Sequence, residues 1–233
     1  MITKEFNPSI TASNYLIRNR LLKSIQSLAP SLKGKLMDFG CGQKPYRSLF
    51  TVDEYIGVDF ENPGHSHSNE AIDVYYDGKS LPFPDATFDS IFSSEVFEHV
   101  FNLYEILPEL NRVLKPGGLF LLTCPFAFCE HEQPNDFARY TSFAIKHLLQ
   151  QNGFEIVEQR KTGNSIEAIY QLRLVYINQH ITPVVRKIPV FRSLFRLLIY
   201  TSYNLAALLF TRILPQGNDL YMNNVILCRK TNS

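Results

Sequence analysis

The chain has 233 residues and a net charge of +1, and 45% of its residues are hydrophobic. This length fits one domain with a sizeable core, and the near-zero net charge excludes a strong general attraction to nucleic acid. The four cysteines form no CxxC pair, which favours reduced thiols in the cytoplasm over a zinc site or a disulfide framework. The N-terminal stretch has no apolar run of the kind found in signal peptides.

An amphipathic helix comes first among the predicted elements. Apolar residues recur at helical spacing from Leu16 to Leu28, and Thr11 and Ser13 are the alternatives for its N-cap. The turn at 115–118, Lys-Pro-Gly-Gly, is expected to stop the next helix. Two more helices are therefore predicted in this part of the chain, over 97–114 and 142–152.

Short apolar runs alternate with these helices, and we interpret them as strands. The predicted strands cover 35–39, 55–60, 71–75, 88–94, 119–124, 154–160 and 221–230. The run at 71–75 gives the weakest strand pattern of these. Strands that alternate with helices predict right-handed crossovers, hence a doubly wound, mostly parallel α/β sheet with helices on both faces. Ligands of such sheets bind beyond the carboxyl ends of the strands, where the strand order reverses.

Residues 164–215 interrupt this alternation with an apolar, basic segment that we predict to be helical. Six basic side chains stand against one acid, Glu167, and the basic ones are Arg173, Arg186, Lys187, Arg192, Arg196 and Arg212. The simplest organisation is one domain over 1–233, with a core at about 33–160, a helical insertion at 164–215 and a return strand at 221–230.

The turn after the first strand, Asp38-Phe39-Gly40-Cys41-Gly42, is the first candidate binding element. Glycine lets the backbone turn tightly and lets a ligand lie against it. A dinucleotide fingerprint would need a third glycine where this chain has Pro45, and the acid before the turn suits an ammonium group better than phosphates. Asp59 ends the second strand, where a carboxylate can accept hydrogen bonds from both hydroxyls of a ribose.

The ordered set of these motifs resembles the class I S-adenosylmethionine (SAM)-dependent methyltransferases, closest to the type 11 subgroup. It covers about residues 33–160 and comprises DFGCG, YIGVDF, Asp77-Gly78 ahead of LPFPDATFD, SSEVFEHV and LNRVLKPGG with a following apolar strand. The resemblance implies a Rossmann-like fold, SAM as cofactor and methyl transfer to an acceptor. Many relatives carry a third glycine in the first turn, whereas this chain has Lys44-Pro45.

The resemblance also implies a set of cofactor-binding residues. The first turn would line the methionine and ribose parts of SAM, Asp59 would hold the ribose diol, and Asp77 with Gly78 would lie at the adenine edge. Ser94 and Glu95, at the end of the fourth strand, would lie beside the methionine moiety. The predicted set is Asp38, Gly40, Cys41, Gly42, Asp59, Asp77, Gly78, Ser94 and Glu95.

The string Glu95-Val96-Phe97-Glu98-His99 has two interpretations. Its spacing resembles the metal-binding motif of ubiquinone-pathway O-methyltransferases, and on a helix Glu95, Glu98 and His99 would share one face. The same string is common in type 11 enzymes with no known metal. We therefore expect Glu98 and His99 to cap and brace the helix after the fourth strand, and we expect no metal.

The loop from His131 to Tyr140 is the candidate catalytic segment, because it follows the fifth strand and is dense in polar side chains. It resembles the H-x-x-P-x-D-x-x-R-Y stretch of type 11 enzymes that act on glycans and related metabolites. His131 is the expected general base, with Asp136 as its orienter or as a substrate contact. The alternative is an Asp136–Arg139 pair that only fastens the loop.

These observations predict transfer of a methyl group from SAM to a small-molecule or glycan acceptor, at a hydroxyl oxygen. The alternative is a SAM-fold binding module without activity. Thr123-Cys124-Pro125 resembles part of an RNA cytosine methyltransferase site, but the companion Pro-Cys motif is absent, so no nucleic-acid substrate is expected. The basic apolar insertion suggests peripheral contact with a membrane, and the alternatives are a helical lid packed on the sheet or a dimer interface.

Overall fold

The computed structural model describes residues 2–60, 71–185 and 189–232. Seven strands and six helices lie in these ranges, besides short 3-10 turns. The strands are β1 Lys35–Phe39, β2 Glu54–Phe60, β3 Val74–Tyr76, β4 Phe88–Ser94, β5 Leu114–Pro125, β6 Phe154–Lys161 and β7 Asn223–Lys230. The helices are α1 Tyr15–Leu28, α2 Leu103–Val113, α3 Ser142–Gln151, α4 Ser165–Tyr176, α5 Thr182–Val185 and α6 Pro189–Ile213.

All seven strands belong to one sheet in the order β3-β2-β1-β4-β5-β7-β6. The pairs from β3 through β5 are parallel, whereas β7 runs antiparallel to both of its neighbours. The strand order reverses between β1 and β4, which is where a doubly wound sheet opens a crevice for a ligand. The predicted fold class, a mostly parallel Rossmann-like sheet with a late return strand, is confirmed.

Alternation along the buried strands explains why helices cover both faces of the sheet. In β5, Phe120 and Leu122 pack into the cluster that contains the apolar sides of α2 and α3. Leu121 lies between them in sequence and packs into the cluster formed with α1. Successive side chains of a strand point to opposite faces, so a near-continuous apolar strand requires a core on each side.

The boundaries of several elements differ from the predicted ones. α1 begins at Tyr15 and has Asn14 at its N-cap position, so neither Thr11 nor Ser13 caps it. The hydroxyls of Ser9 and Thr11 instead lie 2.6 Å apart in the segment before the helix. Sequence periodicity fixes the buried face of a helix better than its first residue, because several short polar residues compete for the cap position.

The segment after β4 contains a larger difference. The helix predicted from 97 begins only at Leu103, because Phe97–His99 forms one 3-10 turn and Val100 is extended. α2 ends at Val113, and β5 begins at the next residue, Leu114. The Lys-Pro-Gly-Gly turn at 115–118 therefore belongs to the first residues of β5 and does not end the helix. The third strand is shorter than predicted and starts at Val74.

Within the segment 164–215, residues 165–185 and 189–213 are helical. α4 continues into a π-helical turn at Ile177–Ile181, and α6 packs back against α4. In the described part of the chain, one helix, Ser193–Ile213, is long and apolar enough to cross a membrane by length and composition, with 17% of its most apolar window buried. Arg186 and Lys187, and the side chain of Arg192, lie outside the described residues.

Candidate functional site

Two adjoining cavities lie beyond the carboxyl ends of β1, β2 and β4. Their volumes are about 560 Å³ and about 340 Å³, and both are lined by Gly40, Gly42, Glu95, His99 and Glu132. The larger cavity also contains the predicted residues Asp59, Asp77 and Gly78 in its wall. The smaller one contains Asp38, Cys41 and Ser94. The structure therefore brings all nine predicted cofactor residues to one continuous region of the sheet edge.

The first turn has the backbone geometry that its glycines predict. Gly40 has a φ of +72°, and a Cβ at this position would lie 2.3 Å from a methyl carbon of Val96. Gly42 has a φ of +44°, and a Cβ there would meet no atom within 4 Å, since this position opens toward the cavities. Gly40 thus serves close packing, whereas Gly42 leaves space in which a ligand can approach the backbone.

Asp59 fastens this turn to the end of β2. Its Oδ2 accepts a hydrogen bond from the backbone N–H of Gly42 at 2.8 Å, and its Oδ1 accepts one from its neighbour Phe60 at 2.8 Å. An ionised carboxylate offers about four acceptor sites. The side chain thus braces the turn, and it lies in the wall of the larger cavity, where a carboxylate is a suitable acceptor for a diol.

Asp38 is the buried acid of the first turn. It is 3% exposed, and the Tyr55 hydroxyl donates a hydrogen bond to its Oδ2. Burial raises the pKa of this carboxyl to about 7, and the charge of Asp59 adds to the effect. A ligand ammonium group beside Asp38 would favour its ionised form, which matches the cationic amino group of SAM.

Asp77 follows β3 and forms a local turn. Its Oδ1 accepts hydrogen bonds from the backbone N–H groups of Lys79 and Ser80, both at 2.8 Å, which lowers the pKa of the carboxyl. Gly78 has a φ of +82°, and a Cβ there would lie 2.7 Å from the ring of Phe60. The absence of a side chain at Gly78 thus lets an aromatic ring form part of the cavity wall.

Three aromatic rings to which the sequence analysis assigned no role line the larger cavity. Phe60, Phe101 and Phe137 all contribute to its wall, and the last two pack edge to face with their centroids 5.3 Å apart. All three are classed among the exposed large hydrophobic side chains. Exposed rings beside a cavity offer apolar surface for a flat ring such as adenine.

Glu95 immediately follows β4, and both of its carboxylate oxygens are already hydrogen-bonded. Its Oε1 accepts from the Thr123 hydroxyl at 2.8 Å, and its Oε2 accepts from the Asn223 amide at 2.6 Å. Its φ of +56° places it in the left-handed region and outside any helix. Burial raises the pKa of Glu95. Ser94 is likewise held, with its Oγ 2.9 Å from the Thr123 hydroxyl.

The expectation that Glu95, Glu98 and His99 share a helical face is wrong, because these residues lie in a left-handed turn followed by a 3-10 turn. The expectation that Glu98 and His99 cap the following helix is also wrong, since Asn102 holds the N-cap position of α2 without a side-chain cap bond. Both side chains instead point toward His131, and the ligand atoms of Glu98, His99 and His131 lie within 4.8 Å of one another.

His131 and Asp136 are brought together as predicted. Nδ1 of His131 lies 3.2 Å from Oδ2 of Asp136, and the same oxygen accepts the backbone N–H of His131 at 2.8 Å. Asp136 also forms a two-pronged ion pair with Arg139, at 2.5 and 2.6 Å, and this guanidinium lowers the Asp136 pKa to about 2. The orienting and the fastening roles of Asp136 therefore coexist.

Arg18 is a site residue that the sequence interpretation missed. It lies on α1 and lines the smaller cavity, where it is the single Lys or Arg among the described lining residues. Its guanidinium carbon lies 4.7 Å from the centroid of the Phe6 ring. A guanidinium here faces the same cavity as Asp38, so the two can recognise the carboxylate and the ammonium of an amino acid.

Comparison with known proteins identifies the family. A family model described as a methyltransferase domain, of type 11, matches residues 37–122, which include the first turn and β1 through most of β5. Residues 37–122 therefore carry a methyltransferase domain of the class I SAM-dependent type. Its cofactor is therefore SAM, and the open position at Gly42, the braced carboxylate of Asp59 and the acid at Asp38 fit that molecule.

Individual relatives of the chain carry the names of different enzymes. It is 27% identical over 162 residues to a probable SAM-dependent methyltransferase of Mycolicibacterium smegmatis, covering 64% of the chain and 63% of that relative. It is 26% identical over 117 residues to the 27-O-demethylrifamycin SV methyltransferase of Amycolatopsis mediterranei, covering 44% and 43%. The chain thus spans less than two thirds of the length of these curated relatives.

Among solved structures, the chain resembles the [4+2]-cyclase SpnF. The TM-score is 0.55 and the identity 18%, with 94% of this chain and 83% of the other covered. At this identity the likeness supports the fold alone. The name of that protein also illustrates that one fold carries different reactions, so the reaction must be argued from the side chains of the site.

Proposed function

We propose that this chain transfers the methyl group of SAM to a hydroxyl oxygen of a small-molecule or glycan acceptor. The observation that carries the proposal is that His131 and the predicted cofactor residues Asp38, Ser94 and Glu95 line the same cavity. SAM supplies an electrophilic methyl group on a sulfonium. The protein must bring the acceptor oxygen in line with it and exclude water.

A hydroxyl must lose its proton as its oxygen forms the new bond to carbon and the carbon–sulfur bond breaks. In the metal-free protein, His131 is the group placed to take that proton. Its Nδ1 faces Asp136, whose carboxylate fixes the ring, while Nε2 lies on the other edge of the imidazole. The name of one relative, 27-O-demethylrifamycin SV methyltransferase, denotes an oxygen acceptor and supports the choice of a hydroxyl.

Calorimetry and an acceptor screen test this proposal. We expect micromolar binding of SAM or S-adenosylhomocysteine to the purified protein and a mass increase of one methyl group on an acceptor. Folded protein that takes up neither ligand would refute the proposal. Binding of SAM without transfer to any hydroxylated acceptor would favour the alternative, a SAM-fold binding module without catalytic activity.

We also propose that the pair of helices α4 and α6 rests on an anionic membrane from the cytoplasmic side. Apolar side chains on α6 that are at least half exposed recur at helical spacing, and they are Leu194, Leu197, Leu198, Leu205, Leu209 and Ile213. α4 adds Ile169, Leu172 and Tyr176 to the exposed apolar set. Such a surface favours an interface between water and lipid.

Charge supports a lipid partner over a second copy of this chain. Arg173 and Arg212 are exposed, and the one acid among the described side chains of the two helices, Glu167, is buried against Arg20. Two copies facing each other would bring arginines together, whereas anionic headgroups would neutralise them. The proposed cytoplasmic location rests on the four cysteines, which are all free thiols.

Polar contacts on the other side of α6 favour a helix that lies on the membrane over one that crosses it. Asn204 is fully buried and donates hydrogen bonds to the carbonyls of Ile10 and Ala12 at 2.7 and 2.9 Å. Ala207 is buried in the cluster with Leu16 of α1. Crossing the bilayer would break these contacts and leave polar groups in hydrocarbon.

Liposome flotation tests this placement. We expect the protein to float with vesicles that contain anionic lipid, and the double variant Arg173→Glu and Arg212→Glu to remain in the soluble fraction. The matched control is Lys23→Glu with Lys146→Glu, which makes the same charge change at exposed positions on α1 and α3. Membrane contact would be refuted by a wild-type protein that does not float with the vesicles, whether or not it forms a concentration-dependent dimer.

A further inference from the structure

Glu98, His99 and His131 form a cluster whose arrangement the methyl-transfer proposal does not explain. One ligand atom from each lies within 4.8 Å of the other two, and both imidazoles line the smaller cavity. We propose that these three side chains bind a divalent transition-metal cation. Two imidazole nitrogens with one carboxylate form a donor set typical of such ions.

The carboxylate of Glu98 is the strongest reason for this proposal. The side chain is completely buried, and neither of its oxygens has a hydrogen-bond partner in the described part of the chain. A buried polar group without a partner is costly, and a buried carboxylate needs a charge or donors to offset its desolvation. A cation bound between Glu98 and the two imidazoles would supply that missing partner.

Both imidazoles are held in the orientation that metal ligands need. Nδ1 of His99 lies 2.6 Å from the carbonyl oxygen of Asn135, and Nδ1 of His131 lies 3.2 Å from Asp136. A proton on Nδ1 of His99 would leave its Nε2 lone pair free for a metal. Nδ1 of His131 also lies 3.3 Å from Nη2 of Arg139, so the proposal includes the choice of the Nδ1-protonated tautomer for this ring. Outer partners of this kind orient the histidine ligands of metal sites.

The distances among the donor atoms are close to those of ligands on one ion. Nε2 of His99 lies 3.7 Å from Oε1 of Glu98, and Nε2 of His131 lies 4.0 Å from the same oxygen. Ligands of a tetrahedral ion with bonds of about 2.0 to 2.1 Å are about 3.4 Å apart. The two separations from Glu98 exceed that value by about 0.3 and 0.6 Å, and all three ligand atoms lie within 4.8 Å, so the side chains would have to close around a bound ion.

The arrangement differs from both interpretations of the string at 95–99. Metal independence was expected because this string is common in type 11 enzymes with no known metal, whereas the helix that Glu98 and His99 were expected to cap begins only at Leu103. The proposed ligand set also differs from the one that the sequence spacing suggested. Glu95 is not part of it, because its two oxygens accept hydrogen bonds from Thr123 and Asn223. His131 takes the third place instead, from a loop 32 residues further along than His99.

The inference deepens the proposed methyl transfer and rests on it for its consequence. A cation in the cavity wall can bind the acceptor hydroxyl and make it more acidic. His131 is then a ligand of the cation instead of the free base. The hydroxyl proton passes to water at the open side, where Glu132 is exposed and its Oε2 lies 3.7 Å from Nε2 of His99.

Metal titration of the intact protein, stripped with EDTA, tests the proposal directly. We expect one equivalent of Zn²⁺ or Mn²⁺ to bind by calorimetry, and Co²⁺ to give a visible absorption band typical of nitrogen and oxygen ligands. Glu98→Gln and His99→Ala should each weaken Zn²⁺ binding at least tenfold. The matched control is His147→Ala, because this histidine is exposed on α3 and lines neither cavity.

Binding of S-adenosylhomocysteine, followed by thermal shift, shows that each variant is folded. A wild type without a stoichiometric site, or a Glu98→Gln variant that binds Zn²⁺ as tightly as the wild type, would overturn the metal proposal. Methyl transfer that persists in EDTA would leave the proposed function standing while refuting the role of the metal. Metal binding without methyl transfer would support the metal site and refute the proposed methyl-transfer function.

Discussion

Replacing Asp59 by alanine is the sharpest test of the cofactor site. Its carboxylate lines the larger cavity and accepts the backbone N–H of Gly42, and an ionised carboxylate oxygen can accept hydrogen bonds from ribose hydroxyls. A hydrogen bond to a charged group contributes about 1.5 to 3 kcal/mol. Loss of one such bond at the lower figure weakens SAM binding by about tenfold, and loss of both weakens it further.

Isothermal titration with S-adenosylhomocysteine at fixed pH measures this loss. Asp59→Asn keeps one acceptor oxygen and should bind with intermediate affinity. Asp53→Ala is the matched control, because this exposed aspartate immediately precedes β2 and thus lies at the opposite end of the strand from Asp59. An Asp59→Ala protein that keeps its thermal stability and binds within threefold of the wild type would refute the assignment of the diol to Asp59.

Three further predictions follow from the same geometry. Gly40→Ala should lower the free energy of unfolding by about 2 kcal/mol or more in a denaturant titration, because the strain of an alanine at positive φ adds to a steric clash with Val96. Gly42→Ala should lower it by only about 1 kcal/mol but should weaken SAM binding. Burial raises the pKa of Asp38 to about 7, and SAM favours the ionised form of this carboxyl. The affinity for SAM should therefore fall as the pH drops below about 7, by up to about tenfold per pH unit, and stay constant above it. Asp38→Asn should abolish this dependence, and a wild-type affinity that is flat from pH 5 to 8 would contradict the prediction. His131→Ala should reduce turnover by about 100-fold or more with SAM affinity within threefold, whereas an unchanged rate would make His131 structural.

Local patterns were sufficient to predict the sheet and the cofactor region. An apolar run such as 119–124 can only be a buried strand in this context, and residues at the ends of parallel strands meet at one edge whatever the loops do. That is why Asp38, Asp59 and Ser94 could be placed together from spacing alone. The helix caps were not predictable in this way, because capping depends on which polar side chain the tertiary structure leaves free.

Residues contributed by distant parts of the chain were outside the reach of local patterns. Asn223 bonds to Glu95 across a separation of 128 residues, and Arg18 reaches the cavity from a helix that precedes the whole sheet. Neither has a neighbouring motif that marks it. The cluster at Glu98 was misjudged for a related reason, since the string from 95 to 99 has helical spacing but Glu95 adopts a left-handed backbone that no periodicity reveals.

The position of the return strand has a consequence for how the protein is made. β7 lies between β5 and β6, although it is synthesised after both, so β6 has no sheet partner until the ribosome has delivered the helical insertion and the strand that follows it. A nascent chain that ends before Asn223 leaves the edge of β5 unpaired and exposed, and unpaired edges invite aggregation. Glu95 lacks its amide donor for the same interval. Production of the last strand is therefore the step that both closes the sheet and completes the pocket, and chains truncated within the insertion should require chaperones to stay in solution.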